Sequence, residues 1–202
     1  ETINNGHAAK DLESQKKILP VVLQQTTRME NIVNDLLSLS RIELQEHIRP
    51  NEKVNLNDII SHSIELHQEI LKKNNIECQF ERESKNVKIN GDRNRLIEVF
   101  NNLIDNGIKY SEKNKKITIT TKSENKNFLV TIKDQGIGIS KENIPQVTER
   151  FFRVDPAKSK EVGGTGLGLA IVKHIVNQHR AEMTISSEIN KGTEISLNFP
   201  TI

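Results

Sequence analysis

One cysteine, Cys78, is all that the 202 residues contain. A lone thiol excludes a disulfide framework and any cysteine-rich metal site, and it fits a reducing compartment. Charge of one sign is also lacking: 29 basic side chains stand against 27 acidic ones, a net of +2. That balance gives no reason to expect nucleic acid or an anionic membrane as a partner. No apolar run approaches the roughly 20 residues of a membrane span, and no signal peptide opens the sequence. Internal repeats and low-complexity tracts are missing too. These absences lead to the expectation of a cytoplasmic segment without membrane contact, long enough to bury a core as one domain plus an appended helix.

What is present falls into two textures. From about Asp11 to Gln45, Leu19, Val22, Thr26, Met29, Val33 and Leu36 recur at alternating spacings of three and four. Ile18, Ile32 and Leu39 widen this stripe, which predicts one long helix that needs partner helices to be stable. Pro20 removes one backbone hydrogen bond and belongs near the start of the helix or at a kink. Residues 47–53, HIRPNEK, break the pattern and read as a linker. From residue 54 onward helices and strands alternate. Asn57 is expected to cap a helix to about Lys73, and Asp92 a second helix to about Tyr110. Strands are expected at Ile76–Phe80, Ile117–Thr121, Phe128–Lys133, Glu182–Ser187 and Thr193–Phe199, with a helix at about Gly166–Gln178. This predicts an α/β sandwich, a mixed sheet with helices on one face.

Four features of the second texture fit one nucleotide site. Asn102 and Asn106 stand one helical turn apart, with Lys109 and Tyr110 in the turn that follows. Carboxamide oxygens suit Mg²⁺, an ammonium suits phosphate, and a ring can cover a base. A solvated polar helix face has the same pattern. Next, Asp134-Gln-Gly136-Ile-Gly138 follows a strand; such an Asp can accept from an exocyclic amine, although D-x-G-x-G also makes ordinary turns. Third, Gly163-Gly164-Thr165-Gly166-Leu167-Gly168 opens a helix, where exposed N–H groups and the helix terminus favour an anion such as triphosphate. It is not a Rossmann fingerprint, since no first strand precedes it, and no Gly-Lys-Ser/Thr makes it a P-loop. Finally, Glu149-Arg150-Phe151-Phe152-Arg153 lies between the glycine motifs and reads as a lid with an apolar latch and a phosphate-seeking cation, or as a plain core helix end.

In this order the four motifs resemble the N, G1, F and G2 boxes of bacterial sensor histidine kinases, and Gly192-Thr193 resembles the G3 element. Upstream, Arg28-Met29 through Val33, Asp35-Leu36-Leu37, Leu39 and Ser40-Arg41 resemble the second helix of the dimerisation and phosphotransfer hairpin. The finer texture resembles alphaproteobacterial phosphate-regulon sensor kinases. The resemblance implies a GHKL ATP-binding α/β sandwich preceded by a hairpin helix: residues 1–46 a partial dimerisation segment, 47–53 a linker, 54–202 the catalytic domain. It implies that Asn106 ligates Mg²⁺, with Asn102 assisting, and that Lys109 contacts phosphate while Tyr110 stacks on adenine. It further implies that Asp134 accepts from the adenine amino group in a pocket shaped by Gly136 and Gly138. Arg153 would reach the γ-phosphate, with Arg150 a second candidate, and Gly164, Thr165, Gly166, Leu167 and Gly168 would wrap the phosphates. Asn102, Lys109 and Arg153 would thus form the catalytic set. The implied partners are ATP and ADP, a response regulator, and a second copy through the hairpin; the parent protein would be anchored in the bacterial inner membrane. Two positions depart from the family. Gly107 replaces the usual Ala, at a cost of about 1 kcal/mol in a helix interior, and His179-Arg180-Ala181 replaces a His-Gly-Gly turn.

GHKL folds also serve gyrase, a heat-shock chaperone and anti-sigma serine kinases. In those branches a Glu stands four residues before the Mg²⁺-binding Asn; here that position is Asn102, and an amide is no general base at neutral pH. Glu98 lies a further turn back. A phosphoryl acceptor that brings its own base is therefore the better fit, with a GHKL hydrolase or serine kinase, or a signalling module with a vestigial pocket, as alternatives. No His among His7, His47, His62, His67, His174 and His179 precedes an acidic residue, so the phosphoacceptor is expected upstream of Glu1, and Glu1–Gly6 would be the tail of the first hairpin helix. His174 and His179 are expected to be solvated or to serve a helix C-terminus.

Overall fold

In the computed structural model of the protein, residues 12–45, 47–83, 87–155 and 163–202 are described. Glu1–Gly6, His7 and the expected helix start at Asp11 lie outside them. Helix α1 runs from Leu12 to Leu44 with Pro20 in its interior. The strand β1 (Lys53–Asn55) leads directly into α2 (Leu56–Leu66), which is separated from α3 (Gln68–Lys73) by His67. The single helix expected to reach Lys73 is thus two. At His67 (φ −97°, ψ 1°) the backbone N–H turns back to Glu65 and Ile64, which tightens the last turn and ends α2. Nor is Asn57 the cap. Asn55 holds the cap position, its side chain accepting from the Asn57 N–H at 2.9 Å. Asn57, two residues further on, is buried. Its amide donates to the Glu83 carbonyl at 3.1 Å and accepts from Thr121 Oγ1 at 3.0 Å, tying α2 to the sheet.

Five strands form the main sheet: β2 (Glu77–Glu81), β4 (Lys116–Glu124), β5 (Asn127–Lys133), β6 (Glu182–Glu188) and β7 (Gly192–Pro200), in the order β2-β4-β5-β7-β6. The β2–β4 pair is parallel and the other three are antiparallel, so the sheet is mixed as expected. Alternation decides its faces. Ile117, Ile119, Phe128, Val130, Ile132, Ile195, Leu197 and Phe199 are buried on one side, while Thr118, Thr120, Thr131 and Ser196 on the other are only half-buried. A separate two-stranded ribbon pairs β1 with β3 (Lys88–Asn90). At three residues each, these strands are too short for alternation to show in the sequence.

Helix α4 (Arg93–Tyr110) and α5 (Gly168–Gln178), joined by α2, cover the apolar face. Helix α4 starts where Asp92 Oδ1 accepts from the N–H groups of Asn94 and Arg95, at 2.9 and 3.1 Å. It buries Leu96, Val99, Phe100, Leu103, Ile104 and Ile108 along one stripe. A Cβ at Gly107 would approach Ile117 Cδ1 to 2.9 Å, so the glycine accompanies a close approach of α4 to β4. Beyond α5, Arg180 takes the left-handed conformation (φ 54°) that a glycine would adopt in a His-Gly-Gly turn. His179 is buried rather than solvated, and it serves the helix C-terminus, the other role expected of it. Its Nε2 accepts from the Asp92 N–H at 3.0 Å and its Nδ1 donates to the Ile175 carbonyl at 2.7 Å, which fixes a neutral ring.

Helix α1 lies against α5 through a narrow contact. Leu39 and Ile42, 1% and 0% exposed, enter the core, and each contributes about 1.5–3 kcal/mol by that burial. The stripe predicted to need partner helices faces away: Leu19, Val22, Met29, Val33 and Leu36 are 39–67% exposed. The segment expected to be a linker is clasped to the end of α5. Gln178 donates to the carbonyls of Gln45 and Ile48, both at 3.1 Å, and Arg49 donates to those of Asn177 and Gln178 at 2.9 and 3.0 Å. These bonds satisfy carbonyls that a helix end leaves without partners.

Candidate functional site

The strand β5 ends at Lys133, and Asp134 follows it into the space between the sheet and α4. Asp134 Oδ1 accepts from the backbone N–H groups of Gly136 at 2.8 Å and Thr193 at 3.0 Å, which leaves Oδ2 to accept from a ligand. Burial pushes its carboxyl above the usual range, while the two N–H bonds oppose that rise. The approach of two chain segments here requires glycine. A Cβ at Gly138 (φ 70°) would meet the Glu188 carbonyl at 2.0 Å, and one at Gly192 (φ 102°) would meet the Asp134 carbonyl at 2.1 Å. Tyr110, at the end of α4, accepts from the Ile137 N–H at 3.1 Å through its own carbonyl and so tethers the same loop.

Helix α4 supplies the polar wall. Asn102 donates from Nδ2 to the Glu98 carbonyl at 2.9 Å, which fixes its amide and turns Oδ1 toward the start of α5. A Cβ at Gly168 would lie only 2.6 Å from that oxygen. Asn106 is one turn further on and lines the same cavity. Lys109 Nζ donates to Asp105 Oδ2 at 2.9 Å, and His67 Nε2 stands 3.6 Å from Asp105 Oδ1. His67 Nδ1 faces the Ser63 carbonyl at 2.8 Å and must donate to it, so its other nitrogen meets a carboxylate. The Asp105 contact accordingly raises the His67 pKa. Burial would raise that of Asp105, but the His67 and Lys109 contacts outweigh it and hold the carboxyl low.

The third wall is the turn that opens α5. Thr165, between Gly164 and Gly166, offers its carbonyl to Arg153 Nη2 at 3.0 Å, and its hydroxyl accepts from the Leu167 N–H at 3.3 Å. The hydroxyl proton goes to Asp35 Oδ2 on α1, at 2.7 Å. Burial pushes the Asp35 carboxyl up, and this hydrogen bond opposes the shift. Phe151 is 53% exposed in a left-handed conformation (φ 62°), its N–H donating to the Gly166 carbonyl at 2.8 Å. The lid motif and the glycine motif are therefore joined through their backbones.

These walls enclose one cavity of about 350 Å³, a size suited to a small-molecule ligand. Of the residues singled out in the sequence, Asn102, Asn106, Lys109, Tyr110, Asp134, Gly138, Arg153, Gly164, Thr165, Gly166 and Gly168 line it. Gly136 and Leu167 stand behind it and act through their N–H groups. Arg150 is directed elsewhere, into an ion pair with Glu43 on α1. Sequence reasoning gave no cavity role to Thr193, Asn31, Asn34 or Asp35, of which the last three bring α1 to the cavity rim. Thr193 and Asp35 stood there only within resembling motifs, Asn31 and Asn34 only as polar residues beside an apolar stripe, and His67, outside the lining, was not connected with Asp105. The donor set suits a hard divalent cation: two amide oxygens, one of fixed orientation, beside an anion-binding turn, with coordination completed by water and phosphate. Among the described residues no helix is long and apolar enough to cross a membrane.

Comparison with known proteins agrees with this geometry. The family described as histidine kinase-, DNA gyrase B- and HSP90-like ATPase matches residues 91–202. The sensor-like histidine kinase SenX3 of Mycobacterium bovis is 32% identical over 195 residues, 96% of this chain and 47% of that protein. The phosphate regulon sensor protein PhoR of Pseudomonas aeruginosa is 33% identical over 183 residues, covering 91% and 41%. The chain thus spans about half the length of the curated relatives it matches. Their similar identities do not single out the phosphate-regulon branch. Among solved structures, the histidine kinase ThkA in complex with the response regulator TrrA has a TM-score of 0.72 at 25% identity, covering 96% of this chain and 53% of that one.

Proposed function

Because the chain belongs to the histidine kinase-, DNA gyrase B- and HSP90-like ATPase family, in its sensor histidine kinase branch, we propose that its cavity binds Mg²⁺–ATP for transfer of the γ-phosphoryl group to a histidine. The single observation that carries this reading is the joint placement of Asp134 and the α5 glycine turn in the wall of one cavity. Asp134 Oδ2 accepts from the adenine amino group, Tyr110 covers the ring, and Gly138 keeps the floor open. Lys109 and Arg153 meet the phosphates, and the N–H groups of the Gly164–Gly168 turn wrap them. Asn106 and Asn102 hold Mg²⁺ through their amide oxygens. A bound Mg²⁺ supplies charge neutralisation across the phosphate oxygens.

On α4 the Asn102 amide is no base, Glu98 is engaged by Ser38 and Arg95, and Asp105 is engaged by Lys109 and His67. Among the described residues no histidine lines the cavity. Both facts favour an acceptor histidine presented from another segment, a hairpin helix preceding α1, whose imidazole is itself the nucleophile. In this reading residues 1–46 belong to the hairpin, 47–53 join it to the ATP-binding unit 54–202, and the exposed α1 stripe packs in a homodimeric bundle. The phosphoryl group then passes to a response regulator. The parent protein works at the inner membrane with this part in the cytoplasm.

A titration with ATP and GTP, with and without Mg²⁺, tests the site. Tighter binding of ATP than of GTP is expected, and equal or absent binding overturns the reading. A parent chain extended upstream by one helix tests the transfer. With γ-labelled ATP it should acquire label that acid removes and alkali does not. Acid-stable label would indicate a serine kinase instead.

A further inference from the structure

We propose that Asp35 of α1 is a specificity-determining residue of the cavity: its carboxylate takes the Thr165 hydroxyl proton and sets a negative charge where a terminal phosphate would lie, so that docked α1 disfavours a triphosphate relative to shorter adenine nucleotides. The inference rests on the reading of the cavity as an ATP site and adds a residue from outside the sheet-and-helix unit.

Asp35 reaches the cavity from the same flank of α1 that buries Leu39 and Ile42 one and two turns further on. Its position is therefore set by packed neighbours. Ser38, on the same flank, is bonded to Glu98 of α4, and Arg95 donates to Ser38 at 3.3 Å. Glu43 pairs with Arg150, and its carboxylate stands 3.4 Å from His174 Nε2. The helix is thus held over the two turns that follow Asp35.

The contact uses the wrong proton for a kinase at work. A threonine hydroxyl has one proton to donate, and that of Thr165 goes to Asp35 Oδ2 at 2.7 Å. The same hydroxyl takes the Leu167 N–H, and the Thr165 carbonyl takes Arg153 Nη2. The Thr165 hydroxyl proton is thus committed to α1, while the Leu167 N–H and one Arg153 N–H are turned onto Thr165 itself. A terminal phosphate arriving at the start of α5 must take the Thr165 proton from Asp35 and must do so beside its negative charge. Like charges in a half-buried site repel strongly enough to exclude one another. The groups of an adenine nucleotide that stay near Asp134 and Tyr110 meet no such competitor. By linkage, a triphosphate that weakens the Asp35 contact loosens α1 to the same extent that docked α1 weakens the triphosphate.

The test compares the 202-residue chain with its Asp35→Asn variant, measuring the affinities of AMP, ADP and ATP in Mg²⁺ by calorimetry. Asp35→Asn keeps the side-chain shape and removes the charge. ATP affinity should rise about five- to tenfold and AMP affinity should change less than about twofold. Unchanged or weaker ATP binding in the variant overturns the proposal, as does an equal gain for AMP and ATP. A second measurement needs no variant: in the unsubstituted chain, amide hydrogen exchange over residues 28–44 should be faster with ATP bound than with AMP bound. Equal exchange overturns the proposal independently. Failure of every adenine nucleotide to bind strikes the site reading itself, whereas ATP binding without these differences strikes only the role of Asp35.

Discussion

At one end of the cavity the Asp134 carboxylate is oriented by backbone donors from Gly136 and from Thr193 on β7. At the α5 end, Asn102 and Arg153 lean on backbone carbonyls, but Lys109 and the Thr165 hydroxyl are held by the side chains of Asp105 and Asp35, and Asp35 comes from a helix outside the sheet-and-helix unit. Backbone N–H groups in a sheet corner cannot reorient without breaking the sheet, so that end is preorganised. Side-chain contacts across a narrow helix interface are exchanged at small cost. Under the proposed ATP reading, the comparison puts recognition of the base in the fold and makes engagement of the phosphates depend on where α1 lies.

The largest effect is expected from Asp134→Ala, which should weaken AMP, ADP and ATP alike by about 10- to 100-fold, since a charged hydrogen bond is lost. Calorimetry across the three nucleotides measures this, and a loss confined to ATP would break the comparison. Asn106→Ala acts on the other end. It should remove the Mg²⁺-dependent part of ATP binding, about tenfold, and leave AMP unaffected. Equal losses for AMP and ATP would place Asn106 in the base pocket instead.

Two histidines sharpen the contrast through pH. His67, beside Asp105 at the phosphate end, has a raised pKa. Its contribution to stability is complete below the unfolded value near 6.5 and is lost as pH rises through its folded value. His179, in the core, has a lowered pKa because burial disfavours the cation. Its contribution is complete above about 6.5 and declines as pH falls below that, toward its folded value. Urea unfolding across pH should show both limbs. His67→Gln should flatten only the alkaline limb and His179→Gln only the acid one. The smallest effect is a control away from both ends. Arg180→Gly should stabilise the chain by about 0.5–1 kcal/mol by relieving a left-handed conformation, without altering any nucleotide affinity.

Much of this architecture could be read before folding. Asp92 as a cap, the α4 stripe and the alternation of β4, β5 and β7 are short-range signals, carried by residues within a turn or a strand of one another. The cavity residues were legible for the same reason, because the Asn face, the Asp134 loop and the α5 glycines are each contiguous. What escaped depends on remote partners. Asn57 looks like a cap until Thr121 arrives from β4 to bond it. His179 resembles a solvated helix-end residue until Asp92 donates to its ring. Arg150 carries the charge expected of a phosphate ligand, and Glu43 takes it.

By itself, the sequence determined the family, the order of the longer elements and the residue types around the cavity, since these follow from periodicity and contiguous motifs. Only the tertiary structure decided that α1 turns its broad apolar stripe outward, buries Leu39 and Ile42, and lays Asp35 on Thr165 130 residues away. The physical reason is that such contacts depend on summed packing between surfaces distant in the chain. No local pattern encodes which flank of a long helix will meet its neighbour.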